Sequence, residues 1–248
     1  LRRKNLALII DIGGGTSDFS IVRVSPERAK SADRKDDILA SHGIHVGGTD
    51  FDRLLSIAHL MPELGYQSPT KDGKRNLPVG YYNDLATWQR IHLLYSSKAT
   101  SALRQMRYEA ARPDLVDRMI DIVGSRQGHA AAAKVEQAKI ALTERTEAAI
   151  EISLTHEKLR LTITRAQMNE AIRTTVVRVQ NAVADTLISA GVASSQITAL
   201  FLTGGSSAIP LLKDSMLSMF PSASVIGGDM FGSVGLGLAL DARRKFRY

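Results

Sequence analysis

Leu6-Ala7-Leu8-Ile9-Ile10-Asp11-Ile12-Gly13-Gly14-Gly15-Thr16-Ser17-Asp18 is the stretch whose reading decides the fold. Leu6 to Ile10 is a continuous apolar run, which predicts a strand buried on both faces. Gly13-Gly14-Gly15 breaks it, and Phe19, Ile21 and Val24 then predict a second strand. Ile38 to Ile44 predicts a third. Three consecutive strands joined by short turns form a meander.

After Gly47-Gly48-Thr49-Asp50 the pattern changes. Residues 51–61 read as helix. Residues 62–84 hold Pro62, Gly65, Pro69, Gly73, Pro78 and Gly80, which is loop composition. Helical patterns dominate from Asp84 to Glu144. Two short strands are expected at Ala148–Leu154 and Leu159–Ile163, with a turn at His156-Glu157. Thr164 and Gln167 have the spacing of a capping box. Behind them Met168, Ile172, Val176, Val179, Val183 and Leu187 recur at helical spacing, predicting one long amphipathic helix stopped by Gly191. Strand, turn and helix return at Ile197–Leu202, Gly204-Gly205-Ser206-Ser207 and Pro210, a residue that the first turn of a helix tolerates. Val225-Ile226 predicts a short last strand and Ser233–Arg244 a closing helix. The order is α/β, a mostly helical insertion, then α/β again.

Composition narrows the chemistry. With 44% hydrophobic and 23% charged residues, the 248-residue chain can bury a substantial core. It has no cysteine, which excludes disulfides, thiol catalysis and cysteine-ligated zinc or iron–sulfur centres. The apolar run at Leu6–Ile10 falls far short of the roughly 20 residues that span a membrane. A soluble, cytoplasmic protein is expected. The formal charge of +7 comes from dispersed residues with short clusters at Arg2-Arg3-Lys4, Lys71–Arg75 and Arg243-Arg244-Lys245, and is read as a solvated surface. An aromatic content of 5% leaves few stacking platforms, so no nucleic-acid partner is expected. His42 and His45 have no further ligand near in sequence, so no zinc is expected. Neither a Gly-x-Ser-x-Gly elbow nor a Walker-type loop occurs. The chain opens at Leu1 without a Met, and residues of a longer protein are expected ahead of it.

Three turns could carry a ligand. Glycines between two apolar strands let the backbone approach a phosphate closely, and Thr16 adds a hydroxyl. Asp11 and Asp18 flank that turn and would repel an anion unless a divalent cation sat between them, a task suited to Mg²⁺. A glycine-rich hairpin whose aspartates cap the turn explains the same residues, and both readings stand. Leu202-Thr203-Gly204-Gly205-Ser206-Ser207 lies where α/β folds place nucleotides, although an ordinary tight turn has the same composition. Gly47-Gly48-Thr49-Asp50 is weaker still. On the helix near residues 130–143, Ala131, Val135, Ala138 and Leu142 form a core stripe. Glu136, Lys139, Ile140 and Thr143 share another face, where a Glu–Lys pair reads by itself as solvated.

Taken together these segments resemble the actin-like ATPase superfamily. Asp11-Ile-Gly-Gly-Gly-Thr16-x-Asp18 resembles its second phosphate motif. Gly47-Gly-Thr-Asp-Phe-Asp52 is similar to the Gly-Gly-x-Asp-Phe-Asp segment of DnaK-type heat-shock chaperones. Val135-Glu136-Gln-Ala-Lys139 resembles their Glu-x-Ala-Lys adenosine helix, and Leu202-Thr-Gly-Gly205-Ser206-Ser-x-Ile209-Pro210 their adenosine motif. All four come in family order, and the chain is similar to the YegD-like branch. The resemblance implies lobe II of an actin-like ATPase: a ribonuclease H-like mixed sheet with flanking helices over residues 1–46 and 167–248. Residues 47–166 are implied to be an inserted, mostly helical subdomain with a small β-sheet. ATP/ADP and Mg²⁺ are the implied cofactors. Asp11 and Asp18 would be the catalytic and metal-holding carboxylates, and Gly13, Gly14, Gly15 and Thr16 would cradle phosphates beside Gly47 and Gly48. Glu136, Lys139, Ile140 and Thr143 would contact ribose and adenine opposite Gly204, Gly205, Ser206 and Ala208.

Two positions depart from the family pattern. Ile140 and Ala208 stand where arginines usually sandwich the adenine, and Asp229 is the nearest match to an acidic residue expected near the last glycine turn. The first phosphate loop and the lysine that acts in hydrolysis are implied to lie on a first lobe outside this chain. The expected function is therefore a nucleotide-binding lobe of a chaperone-like ATPase that does not hydrolyse ATP alone. Its expected partners are adenine nucleotide, the first lobe, and client proteins or co-chaperones. The alternatives are a sugar kinase or exopolyphosphatase of the same superfamily, and a non-hydrolysing interaction module.

Overall fold

The meander is the start of a five-stranded mixed sheet. In the computed structural model, which describes residues 5–25, 34–226 and 233–246, β1 (Asn5–Ile12), β2 (Ser17–Val24) and β3 (Ile38–Ile44) run antiparallel. Then follow α1 (Gly48–Leu55), α2 (Gly80–Ala86), α3 (Ser97–Glu109), α4 (Pro113–Gly124) and α5 (Gly128–Glu144). The hairpin β4 (Glu147–Ser153) and β5 (Lys158–Thr164) leads into the long α6 (Arg165–Ala190). The chain returns through β6 (Ile197–Thr203), α7 (Pro210–Met219), β7 (Ser224–Ile226) and α8 (Ser233–Lys245).

Contacts divide these elements into two compact units: Leu1–Gly48 with Thr174–Tyr248, and Thr49–Arg173. The sequence reading sets the corresponding limits at 46/47 and 166/167.

In the first unit the strand order is β3-β2-β1-β6-β7, with β6 parallel to β1 and β7 parallel to β6. The mixed sheet with its helices is consistent with the actin-like fold that the resemblance implies. Central position explains the apolar run in β1: Ala7, Leu8, Ile10 and Ile12 are all fully buried. As β1 has an antiparallel neighbour on one side and a parallel one on the other, the turns after β1 and β6 leave the same end of the sheet. Asp11 pairs in register with Thr203, the last residue of β6. Open α/β sheets bind ligands at such carboxyl ends.

The predicted stripe on α6 is buried from Met168 to Leu187, and Gly191 ends the helix with φ at +62°. Its start is a true capping box. The Thr164 backbone N–H donates to Gln167 Oε1 at 2.8 Å, and the Gln167 N–H donates to Thr164 Oγ1 at 3.2 Å.

The second unit trims the loop reading of 62–84 at both ends: residues 65–79 are turns and irregular chain as read, with helical pieces on either side. α1 continues through a π turn at Ser56–Leu60 and a 3-10 turn at Met61–Leu64, and α2 starts at Gly80. Pro62, Gly65 and Gly80 border the helical pieces, while Pro69, Gly73 and Pro78 lie in the loop between them. Gly65 takes φ +100° to end the first piece, and α2 buries Tyr82 and Leu85 at helical spacing. Tyr82 is completely buried and its hydroxyl donates to the Leu64 carbonyl at 3.2 Å, tying α2 to the turn before Gly65. Burial pushes its phenol pKa up, so it stays a neutral donor. Among the described residues no helix is long and apolar enough to cross a membrane.

Removing the Tyr82 ring should cost far more than removing its hydroxyl. Tyr82→Ala is expected to destabilise the second unit by about 3–5 kcal/mol, and Tyr82→Phe by about 1 kcal/mol. Urea midpoints at constant m-value measure both.

Candidate functional site

The turn after β1 is a tight hairpin end. Ile12 pairs with Ser17, and the Gly13 N–H donates to the Thr16 carbonyl at 3.0 Å. None of Gly13, Gly14 or Gly15 has a left-handed φ. A Cβ on Gly14 or Gly15 would meet nothing within 4 Å, and both residues are exposed. Neither backbone conformation nor packing within the chain therefore requires glycine at these two positions. Close approach by something outside the chain would.

The glycines around this turn differ. A Cβ on Gly47 would lie 2.5 Å from the Gly15 nitrogen and 2.6 Å from the Gly14 carbonyl carbon and oxygen. Its backbone packs directly on the Gly14–Gly15 peptide. The Gly48 N–H donates to the Gly13 carbonyl at 2.9 Å, and the buried Ser17 hydroxyl donates to the Val46 carbonyl at 2.7 Å. Gly204, with φ at +79°, leaves no room for a Cβ against the Ile12 carbonyl and the Asp11 carboxylate. Ser206 is buried, with its hydroxyl 3.5 Å from the Gly13 carbonyl oxygen; Gly205 is exposed and Ala208 half-buried. The structure thus brings all three glycine turns together, with Asp11, Gly13–Thr16, Asp18, Gly47, Gly48, Gly204 and Ser206 in one cluster of the first unit.

Asp11 and Asp18 are cross-strand partners, so their side chains share one face of the sheet. Burial raises the Asp11 pKa above the ordinary carboxylate value, and the Asp18 charge raises it further. The Thr16 hydroxyl donates to Asp18 Oδ2 at 3.3 Å rather than standing free for a phosphate. Two facing carboxylates with no described cation acting on Asp11 fit a hard divalent ion. No cluster of three or more His, Cys, Asp or Glu occurs among the described residues. The donor set therefore suits Mg²⁺, which keeps waters and adds phosphate oxygens, better than a full protein cage.

The remaining predicted residues lie on α5 in the second unit. Glu136 is exposed, Ile140 is 57% exposed and the Thr143 hydroxyl donates to the Ile140 carbonyl at 2.7 Å. Lys139 corrects the expectation of a solvated pair with Glu136. It is buried, and its ammonium lies 2.9 Å from both carboxylate oxygens of Asp52. Helix spacing puts Lys139 beside the apolar stripe, and α1 brings Asp52 to meet it there. Burial raises the Asp52 pKa, while Lys139 and its hydrogen bond pull the other way.

Sequence reasoning missed two residues and one pairing. Gly43 lies opposite Asp18, and a Cβ there would come 2.8 Å from the Asp18 carboxylate. A glycine inside a strand was its available signal. Asp52 is legible as the end of the Gly47–Asp52 motif, but its pairing with Lys139 is not, because that partner is 87 positions away. Trp88 lines a pocket beside α5 that no motif marks. Asp229 lies outside the described residues, as do the basic residues of the Arg2-Arg3-Lys4 cluster.

Two contrasts test this geometry. Gly47→Ala should destabilise the first unit by about 1–3 kcal/mol through overpacking, whereas Gly14→Ala should leave stability unchanged or raise it by about 0.4–1 kcal/mol; thermal and urea unfolding measure both. Losing one partner of the Asp52–Lys139 pair should cost about 3 kcal/mol, the low end for a buried pair because Asp52 keeps 19% of its side chain exposed. In a cycle of Asp52→Leu, Lys139→Met and the double variant, the double should cost less than the summed singles.

Known sequences place this arrangement. The profile of the Hsp70 protein family matches residues 117–242, just over half of the chain. The chaperone protein DnaK of Mycoplasmoides gallisepticum is 26% identical over 227 residues, covering 89% of this chain and 29% of that protein. An HscA homolog chaperone of Burkholderia pseudomallei is 24% identical over 241 residues, or 96% of this chain, and one from Shewanella denitrificans 23% over 242 residues. The chain spans 29% of the length of these relatives. With a family profile matched over more than half its length and the glycine turns assembled as described, the chain belongs to the Hsp70 family.

Proposed function

We propose that this chain is the ATP/ADP-binding lobe II of a chaperone-type ATPase of the YegD-like branch. The observation that carries the reading is the convergence of three glycine turns, in which Gly47 and Gly204 are fixed by packing while Gly14 and Gly15 face open space. In this reading the phosphates rest on Gly13–Thr16 beside Gly47 and Gly48. Asp11 and Asp18 would hold Mg²⁺, which would neutralise phosphate charge, and Asp11 would orient the attacking water. Glu136 and Thr143 are the proposed nucleoside contacts of the second unit, and Gly204, Gly205, Ser206 and Ala208 those of the first. Lys139 contributes by anchoring α5 through Asp52. Client proteins or co-chaperones are the proposed macromolecular partners.

Turnover by this chain alone is not expected. Phosphoryl transfer depends on positioning and on neutralising charge in the transition state. The charge described as acting on Asp11 is the like charge of Asp18, which Mg²⁺ would offset. A first lobe, as the resemblance implies, would supply the missing lysine.

One observation favours the second reading, a non-hydrolysing interaction module. Ile140, apolar and 57% exposed, offers contact area where the family carries a cation, and loses a term of about 0.5–2 kcal/mol.

Isothermal titration with Mg-ADP separates the two. Weak binding is expected from the native chain. In Ile140→Arg it should tighten by about 2- to 30-fold, and in Gly14→Ala it should be lost. ATP hydrolysis that disappears in Asp11→Asn would contradict the expected inactivity of the isolated chain. No heat from the folded native chain or from Ile140→Arg would favour the interaction module.

A further inference from the structure

The second unit holds a pocket that shares only Glu136 with the proposed nucleotide contacts. It has a volume of about 270 Å³ and lies where α1, α5 and the segment after α2 meet. Ala86, Ala132 and Val135 give it an apolar lining, Trp88 contributes an indole wall, and Asp52 and Glu136 line it as well. The wall is held by close packing. Gly128 at the start of α5 leaves no room for a Cβ beside Ile91 and Tyr95, 2.5 and 2.9 Å away, so α5 abuts the 3-10 turn Trp88–Tyr95. His129 meets the Trp88 ring edge-to-face, with centroids 4.8 Å apart at 79°. Trp88 nevertheless remains 47% exposed, a large uncovered area for an indole.

The charge balance selects the ligand. Lys139 neutralises Asp52, leaving the exposed Glu136 as surplus negative charge at the pocket. The Glu136 charge reaches the Asp52 carboxyl and helps to raise its pKa, so the two carboxylates share one electrostatic site. An anion would be repelled. A neutral apolar group would cover the apolar lining but desolvate Glu136 without compensation. A cation on an aliphatic stem satisfies every surface at once: stem on the alanines and Val135, charge between the indole and the carboxylate. The volume is below the roughly 300–1,000 Å³ of drug-sized sites, and suits one such head group.

We propose that this pocket binds a guanidinium or alkylammonium group on an aliphatic stem, with Trp88 and Glu136 as its recognition residues. The same chemistry can come from an arginine or lysine side chain of a polypeptide or from a free small cation. The site shares Glu136 with the proposed nucleoside contact, so its test contains no nucleotide.

Trp88 is the only tryptophan in the chain, so its emission reports on this pocket alone. The whole chain is titrated with agmatine as the free cation, with N-acetylarginine amide as the side-chain probe, and with uncharged N-acetylcitrulline amide. A saturable change with one or both cations and none with the citrulline compound is expected. Agmatine alone would identify a free small cation, and a response to N-acetylarginine amide would identify a polypeptide side chain. Glu136→Gln, a substitution at an exposed position, should weaken the response about 10-fold or more, with circular dichroism verifying the fold. Trp88→Leu should abolish the corresponding heat in calorimetry. No saturable response, an equal response to the citrulline compound, or an affinity unchanged in Glu136→Gln would overturn the proposal.

Discussion

Close packing of one peptide plane on another, with no side chain between them, is the constraint on which the first unit depends. Gly47 sits on the Gly14–Gly15 peptide and Gly204 sits against Ile12 and Asp11, so three turns far apart in sequence are held within backbone contact. The sheet makes this possible. β1 lies between an antiparallel neighbour, which forces a tight hairpin after Ile12, and a parallel one, which sends the chain after Thr203 out at the same end. Hydrogen bonds from Gly48 to Gly13 and from Ser17 to Val46 then lock the third turn in place. Any Cβ at Gly47 or Gly204 would wedge these planes apart. That requirement is internal to the fold and would hold with no ligand at all.

Gly14 and Gly15 obey a different requirement. Their backbone angles are open to any residue and the space beside them is empty. A fold that needed only a hairpin here would gain from side chains, which reduce the entropy of the unfolded chain. Keeping glycine therefore makes sense if the turn must admit something bulky and polar against its backbone. The facing Asp11 and Asp18 point the same way. Side by side they cost electrostatic energy in the free protein, a cost that a divalent cation removes.

What could be read from the sequence follows from how local each signal is. The β1 run, the stripe on α6 and the Thr164–Gln167 cap are each contained in a few turns of chain, and each appears in the structure as read. The stretch 62–84 is loop only over 65–79; Pro62 and Gly80 also begin short helices, and burial of Tyr82 outweighs local propensity at its far end. Lys139 failed for a stronger reason. Helix periodicity places it correctly on α5, but only a partner 87 residues away decides whether that face is solvated or buried. The glycines were found as a class, yet sorting those that pack from those that face open space needed coordinates.

The Asp52–Lys139 pair also sets what the rest of α5 can do. With Lys139 drawn inward to Asp52, the helix is fixed about its axis, and Glu136 and Ile140 are left exposed. Positions three and four residues apart share a helix face only loosely, so a buried ion pair at one of them fixes the direction of its neighbours. A solvated Lys139 would have left α5 to settle on its apolar stripe of Ala131, Val135, Ala138 and Leu142 and on the close packing at Gly128. The ion pair thus adds orientation more than stability, since desolvation offsets much of its attraction. Glu136 is accordingly held at the surface by a contact it does not make, available to the nucleoside in one proposal and to a cation in the other.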